Sequence, residues 1–386
     1  MQKLYLELSQ LKAELDRCLQ CKTKPCMHAC PVKCSPCDFI KYAKENNYVK
    51  AVEEILRQNP LGEVCGLVCP DKFCVKACLR KNVDVPVEIP KVQATIMQKA
   101  RNATTENAEY NGKKIAVVGL GPAGIGAVAE ALKNGFAVDA FEKETSVGGA
   151  LNLIPVQRLP REVLAFEWQR LKQNRLLTVN LGVEIKDYSA LCKQNYNAII
   201  VSVGQQQRIS MGICGEEFAV DYYEYLQNPQ KYTSKGYVII IGGGQVATDC
   251  ALTALAQGAE KTEMLVRRAL NNMRITTTER ENLLNSGVNI TTMTHPTKIE
   301  KINNSFIVHC IRTEFDENGK LNDIIGSETS LSGVDLVVKA LGATGNQKLY
   351  ENDKIIYAGD FITGSSTVVE AIASGKEAVR KIMQNF

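Results

Sequence analysis

Ten of the chain's 14 cysteines fall between Cys18 and Cys78, and nothing else in the sequence limits the fold as strongly. They come in two bursts. The first is Cys18-Leu-Gln-Cys21-Lys-Thr-Lys-Pro-Cys26-Met-His-Ala-Cys30-Pro31, and the second is Cys65-Gly-Leu-Val-Cys69-Pro70-Asp-Lys-Phe-Cys74-Val-Lys-Ala-Cys78. Cys34 and Cys37 stand between them. Thiols this dense belong either to a secreted disulfide scaffold or to a metal-binding head. A disulfide scaffold is short and follows a leader. This chain has 386 residues, and its opening, MQKLYLELSQLKAELDRC, alternates charged and apolar residues at helical spacing, without a leader's apolar core or small-residue cleavage site. The expectation is a cytoplasmic protein whose thiolates bind metal. Iron–sulfur clusters draw their ligands in bursts on tight loops, often with a proline after the last cysteine, and in two-cluster ferredoxins that last cysteine serves the other cluster. Zinc, in tetrahedral Cys₄ or Cys/His sets, is the rival. The four-residue gaps and the two Cys-Pro steps favour clusters, and His28 is required by neither scheme.

Composition narrows the partners. Lys and Arg number 46 against 42 Asp and Glu, a net charge of +4 that is too small and too dispersed to indicate nucleic acid. No apolar run is long enough to span a bilayer.

The head is expected to be helical. KLYLELSQLKAELDRCL, FIKYAKENNYVKAVEEILRQN and IPKVQATIMQKARNA carry apolar residues at three- and four-residue spacing. The polar stretch NATTENAEYNGKK then marks a boundary. Beyond it lies a strand from Ile115 to Val118, then Gly119-Leu-Gly121-Pro122-Ala123-Gly124-Ile125, a helix through Leu132, and a second strand, Ala137 to Phe141. Glycines there allow a tight turn and a close approach of pyrophosphate to a helix N-terminus. Glu142 ends the second strand, where an acid can bind ribose hydroxyls, and Gly148-Gly149 follows.

The same grammar returns about 120 residues later. Tyr237 to Ile241 leads into Gly242-Gly243-Gly244-Gln245-Val246, a helix through Gln257, and a strand from Thr262 to Val266. That strand ends in Arg267-Arg268 rather than an acid, which suits a 2′-phosphate and hence NADPH, with NADH as the alternative. Short alternating strands are expected between Val288 and Val338, with a hairpin turn at Asn318-Gly319. Near the end, Gly359-Asp360 closes a strand, and Thr367-Val368 opens a helix.

Together these residues resemble the flavin–iron–sulfur electron-input subunit shared by bacterial glutamate synthase (small subunit) and the N-terminal half of dihydropyrimidine dehydrogenase. The carrying stretches are CLQCKTKPCMHACP, NPLGEVCGLVCPDKFCVKAC, GLGPAGIG, EKETSVGG, QRLP, VRRALNNMR and AGDFITGSSTVVEAI, spread over nearly the whole chain. The resemblance implies an α/β protein: an N-terminal α-helical domain with two [4Fe-4S] clusters (1–110), followed by two Rossmann-like nucleotide-binding domains. The FAD domain is discontinuous (111–234 and 340–386) and the NAD(P)H domain is inserted into it (235–339).

It further implies that Cys18, Cys21, Cys26 and Gln93 hold one cluster, and that Cys30, Cys69, Cys74 and Cys78 hold the other. Cys65 is a bystander, and Cys34 and Cys37 stand where the family usually has no cysteine, as packing thiols or an accessory redox pair. For FAD it implicates Gly119, Gly121 to Ile125, Glu142, Lys143, Gly148, Gly149, Ala150, Arg158, Gly359, Asp360, Thr367 and Val368, with Val68 reaching in from the head. For NADPH it implicates Gly242 to Val246, Arg267, Arg268, Arg274 and the turn Ala340-Leu341-Gly342. The implied activity passes hydride from NADPH to FAD and single electrons through the clusters to a separate catalytic subunit, an FMN and iron–sulfur protein or a glutamate synthase-type large subunit, in a hetero-oligomer. No side chain is required as a general acid or base, so no catalytic residue is nominated.

Overall fold

The structure, a computed structural model, describes residues 3–345 and 349–384. Packing divides the chain into two units, Met1–Asn152 with Val156–Gln206 and Gly345–Phe386, and Leu153–Pro155 with Gln207–Thr344.

The first unit begins with the helical head: α1 (Leu8–Arg17), α2 (Pro25–Ala29), α3 (Pro36–Lys44), α4 (Tyr48–Leu56), α5 (Gly62–Val68) and α6 (Ile89–Lys99). Proline in the first turn starts α2, α3 and α6, where its missing N–H costs nothing. The stretch expected as one helix over FIKYAKENNYVKAVEEILRQN is two. Asn46 turns left-handed at φ +57° and ends α3, and the Asn47 side chain then caps α4 by accepting from Lys50 N at 3.1 Å. Phe39, Ile40, Ile55, Leu61, Ile96 and Met97 are fully buried and form the head's interior. Helices α5 and α6 touch backbone to backbone, since a Cβ at Gly66 would lie 2.5 Å from Ala94 N.

The chain continues through β1 (Lys114–Val118), α7 (Pro122–Lys133), β2 (Ala137–Glu142), α8 (Arg161–Lys172), β3 (Leu177–Leu181), α9 (Tyr188–Cys192) and β4 (Ala198–Val201). It then enters the second unit: β5 (Gln207–Arg208), β6 (Val220–Asp221), α10 (Tyr222–Gln227), β7 (Tyr237–Ile241), α11 (Gln245–Ala256), β8 (Lys261–Val266), α12 (Thr277–Asn285), β9 (Asn289–Thr292), β10 (Thr294–Ile302), β11 (Ser305–Phe315), β12 (Leu321–Asp323), β13 (Thr329–Val334), β14 (Leu336–Lys339) and β15 (Ala343–Thr344). It returns to the first unit as β16 (Ile355–Tyr357), α13 (Asp360–Thr363) and α14 (Val368–Gln384).

Each unit is built on a parallel sheet. The first has the order β16-β4-β1-β2-β3 and the second β6-β14-β7-β8-β9. Helices cross between neighbouring strands, as parallel pairing demands. The second unit adds an antiparallel set, β10-β11-β12 with β13 on β11. Its turn at Asn318-Gly319 joins β11 to β12, with Gly319 at φ +74°.

The boundary expected at residue 234 falls inside the second packed unit. Residues 207–234 pack with the second unit, because β6 pairs with β14 (Val220 beside Val338) and because Tyr222, Tyr225 and Leu226 share a core with Val238 and Ile240. The turn at 340–344, expected with the flavin segment, packs there too, through the pairing of β15 with β5. Positions 346–348, 385 and 386 of that expected segment lie outside the described residues. Among the described residues no helix is long and apolar enough to cross a membrane.

Within the first unit, the head is fastened to the sheet-bearing part by buried carboxyl groups. Glu167 of α8 is 0% exposed, and it accepts from the first-turn amides of α5, Glu63 N at 2.7 Å and Val64 N at 3.1 Å. Glu63, itself buried, is held by Arg101 at 2.5 and 3.0 Å and by Tyr5 Oη at 2.7 Å. Burial pushes the Glu167 carboxyl up to about 8. A folded state that keeps this proton above the ordinary carboxyl range binds more protons than the unfolded chain. Stability contributed here is therefore present at low pH and is lost as pH rises from about 4.5 to about 8. Urea midpoints measured at pH 6 and pH 8 are expected to fall with pH in the wild type. Glu167→Gln should flatten that dependence while lowering stability at both, because one amide loses its acceptor.

Candidate functional site: two glycine turns and a thiol-lined head

The first glycine turn sits at the carboxyl end of β1, where parallel sheets collect ligands. Gly119 takes φ +92°, with its Cβ position 2.7 Å from Ser202 O, so no side chain fits there. Gly124 lies over Gly119, where a Cβ would stand 1.8 Å from the Gly119 carbonyl. Ile125 is fully buried, so what it offers a ligand is backbone rather than side chain.

Glu142, at the end of β2, is buried and braces the turn, with one oxygen accepting from Leu120 N at 2.7 Å and the other from Glu144 N at 3.0 Å. Gly148 N donates to Leu120 O at 2.8 Å, and Gly149 lies face to face with Gly121, its Cβ position 3.1 Å from Gly121 Cα. Lys143 and Ala150 are exposed on the rim, and Arg158 is half-buried on the following loop. The result is a cradle that added Cβ atoms would fill, at the N-terminus of α7.

The returning chain joins this cradle. The Cβ position of Gly359 is 2.7 Å from Ala123 Cβ, which sets Asp360 beside the start of α7. Burial raises the Asp360 carboxyl above its usual range, and Ser366 Oγ donates to it at 2.5 Å. Thr367 Oγ1 and N both donate to Glu370, opening α14 at Val368. Val68 closes α5, which packs on both α8 and α14. The roles of Ser202 and Ser366 escaped sequence reasoning, since a single serine carries no pattern until the fold places it.

In the second unit, Gly242 takes φ +145°, and its Cβ position is 2.3 Å from Ala340 O, which brings the Ala340-Leu341-Gly342 turn against the glycines. Gly244 caps α11 and has open space beside it. Gln245 Nε2 donates to Glu279 at 3.0 Å, and Val246 packs on the unit's core. Arg274 N donates to Gly243 O at 3.1 Å, which ties the third arginine to the glycine turn. Burial and the neighbouring charges of Arg274 and Arg267 lower the Arg268 guanidinium below its ordinary range. Three guanidiniums thus crowd one strand end, an arrangement that favours a polyanion.

In the head, Cys18, Cys21, Cys26, Cys37 and Cys78 line one small cleft, backed by Ile40, Val87 and Ile89. Cys26 Sγ and Cys37 Sγ are 3.9 Å apart. A second group surrounds Cys69. Its thiol is raised by a hydrogen bond with Cys65 and by burial, and Cys74 and Cys30 are its other thiol neighbours. Burial, with Cys30 adding to it, pushes the Cys74 thiol up to about 12.

Cys78, which the resemblance groups with Cys30, Cys69 and Cys74, lines the cleft of Cys18, Cys21 and Cys26 and also neighbours Cys74. Gln93 stands away from the first cleft, with its Oε1 3.9 Å from Cys34 Sγ. Cys78, Leu79 and Arg80 line this cleft from one side and Val87 and Ile89 from the start of α6. Cys37, expected as a packing or loop thiol or as half of an accessory redox pair, is on α3 and lines the first cleft. Among the described residues no three His, Cys, Asp or Glu side chains meet at one ion's position. The donors form a ring about a cleft, and such an all-sulfur set matches the soft iron of a cluster.

Two family descriptions match the chain. Residues 2–105 match the dihydropyrimidine dehydrogenase domain II, 4Fe-4S cluster family, and residues 113–366 match the pyridine nucleotide-disulphide oxidoreductases. The chain belongs to the pyridine nucleotide-disulphide oxidoreductase family. This member carries a 4Fe-4S head, which decides between cluster and zinc, and it is an FAD-dependent NAD(P)H oxidoreductase of the type that feeds dihydropyrimidine dehydrogenase and glutamate synthase.

Its relatives include the NAD-dependent dihydropyrimidine dehydrogenase subunit PreT of Escherichia coli (strain K12), 30% identical over 96% of this chain and 92% of that one. The Glutamate synthase [NADPH] small chain of the same organism is 27% identical, over 97% and 91%. The NADP(+)-dependent formate dehydrogenase subunit beta of Moorella thermoacetica is 27% identical, over 94% of this chain and 60% of that one. Among solved structures, Mycobacterium tuberculosis FprA in complex with NADPH shares the oxidoreductase fold, at a TM-score of 0.61 and 15% identity, over 72% of this chain and 84% of that one.

Proposed function

We propose that this chain is the electron-input subunit of a larger reductase. It would oxidise NADPH and deliver single electrons, through FAD and two [4Fe-4S] clusters, to a partner catalytic subunit of the FMN and iron–sulfur, dihydropyrimidine dehydrogenase type. The observation that carries this reading is structural continuity. Helix α5 runs into Val68-Cys69 while its flanks pack on α8 and α14, so the thiol groups and the glycine cradle share one packed unit.

A bound flavin supplies the change from a two-electron donor to one-electron carriers, and iron–sulfur clusters then carry the electrons singly. The chain's own residues bind and orient. Gly121 and the start of α7 would take the FAD pyrophosphate, Glu142 the ribose, and Asp360 with Thr367 and Val368 the flavin end. Cys18, Cys21, Cys26 and Cys78 would hold one cluster, and Cys30, Cys69 and Cys74 three corners of the other. Gly243 to Val246 would take the coenzyme's pyrophosphate, and Arg267, Arg268 and Arg274 its 2′-phosphate.

Two results test this. The purified chain should reduce an artificial dye with NADPH yet show no uracil, thymine or glutamate synthase turnover until a cognate subunit is added. Dihydropyrimidine formation by the chain alone would overturn the subunit reading. For the coenzyme, Arg267→Ala should raise the KM for NADPH by about tenfold, ~1.4 kcal/mol, and leave that for NADH unchanged in steady-state assays. A wild type that already prefers NADH overturns the NADPH assignment alone.

A further inference from the structure

Resting on the coenzyme reading above, we propose that Glu279 is a positioning residue for coenzyme choice. Through Gln245 it clamps the arginine-bearing loop to the second glycine turn, and so fixes where Arg274 stands relative to the coenzyme's pyrophosphate.

A dinucleotide with a 2′-phosphate presents two anionic groups at a set separation. A site that meets both without paying to order itself must hold its two contact segments at that spacing beforehand. In the second unit these segments are distant in sequence. Gly243 to Val246 lead into α11, whereas Arg267, Arg268 and Arg274 follow β8.

The structure joins them on both sides of Arg274. Before the join, Arg274 N donates to Gly243 O at 3.1 Å, and Arg274 bridges Gly244 in parallel register. After it, Thr276 caps α12. Its Oγ1 accepts from Glu279 N at 3.1 Å, and its own N donates to Glu279 Oε2 at 2.9 Å. A capping box of this kind ordinarily turns the carboxylate back onto its own helix. Here the carboxylate also reaches outside. Gln245, the first residue of α11, donates through Nε2 to Glu279 Oε1 at 3.0 Å and to Oε2 at 3.2 Å. Met273 is buried in the unit's core, and Arg274 beside it is exposed. The backbone of the arginine is thus held while its side chain faces solvent.

The charge of Glu279 makes this role measurable. A carboxylate against the first turn of α11 competes with a phosphate for the same helix end. By charge alone, removing it tightens both coenzymes, which share the pyrophosphate. As a clamp, its removal weakens the coenzyme that carries the 2′-phosphate and spares the other. The two effects have opposite signs.

The test uses the full chain loaded with FAD. Calorimetry gives Kd for NADP+ and NAD+, and a dye assay gives KM for NADPH and NADH. Glu279→Gln is the informative variant. Glutamine still completes a capping box, but its amide has one oxygen, so Thr276 N and Gln245 Nε2 can no longer both be served. The Kd for NADP+ is expected to rise about tenfold and that for NAD+ to change by less than about twofold, with KM following. Gln245→Leu removes the donor and should shift the ratio in the same way, and the double variant should add little to either. Retained FAD absorbance and a cooperative melt show that a variant has folded. If Glu279→Gln does not fold, Gln245→Leu carries the test.

A wild type that binds NAD+ as tightly as NADP+ overturns the NADPH reading and this proposal with it. With the wild-type preference for NADP+ established, the proposal alone is overturned by a Glu279→Gln variant that binds NADP+ as before or more tightly. It is overturned equally by a variant that weakens both coenzymes alike, which is what a merely structural residue would do.

Discussion

Gly375→Val is expected to remove bound flavin and to destabilise the first unit by about 3 kcal/mol or more. Helices α7 and α14 meet there without side chains between them. A Cβ at Gly375 would stand 1.8 Å from Ala123 O and 2.9 Å from Ala127 N, and a Cβ at Gly126 would stand 2.5 Å from Ile372 O. These obstacles are backbone atoms, so no rotamer change relieves them and one helix must move. Ala123 lies in the first turn of α7, whose amides face the glycine cradle, so the displacement reaches the pyrophosphate site directly. The same shift would strain the ion pairs of the buried Glu130 with Lys376 at 3.4 Å and with Arg380 at 3.0 Å. Flavin content after gel filtration and the Tm of the purified variant measure both effects. A variant with full flavin and an unchanged Tm would mean that the two helices separate without cost.

Cys69→Ser should separate the two halves of the reaction. Flavin bleaching by NADPH, followed by stopped flow, is expected to persist, because the glycine turns contain no part of the cysteine bursts. Delivery of electrons to the partner subunit should fall to background, because Cys69 is central to the second thiol group. The adjoining Val68 gives the experiment its discriminating outcome. Cys69 follows the last residue of α5, and α5 is capped by Glu167 from α8. A variant that no longer holds FAD would therefore show that cluster formation also fixes the end of α5 against the flavin cradle.

Much of this architecture could be read from residue order. The strand–glycine–helix–strand unit is local, and both copies lie within a residue or two of the expected positions, since a turn at positive φ and a buried strand leave their marks on neighbouring residues. Partnerships between distant residues could not be read in that way. The resemblance places Cys30 with the second burst, and Pro31 after it is a visible mark of such an exchange. Cys78 is followed by Leu79 and carries no such mark, yet it faces the Cys18 loop. Residues 207–234 read as part of the flavin segment because β6 is only two residues long, and its pairing with β14 reveals the unit it packs with. The break between α3 and α4 rests on one left-handed asparagine within an otherwise unbroken helical period.

The interruption of the first unit by the second also orders events during synthesis. A ribosome completes residues 207–344 while the sheet of the first unit still lacks β16 and α7 still lacks α14. The head waits for the same late segment, because Lys376 of α14 donates to Gln58 O and Lys72 pairs with Glu370 at 3.3 Å. Until then the face of α7 that carries the bare Gly126 has no partner, so the core of the first unit closes last, after the whole of the inserted unit has been made.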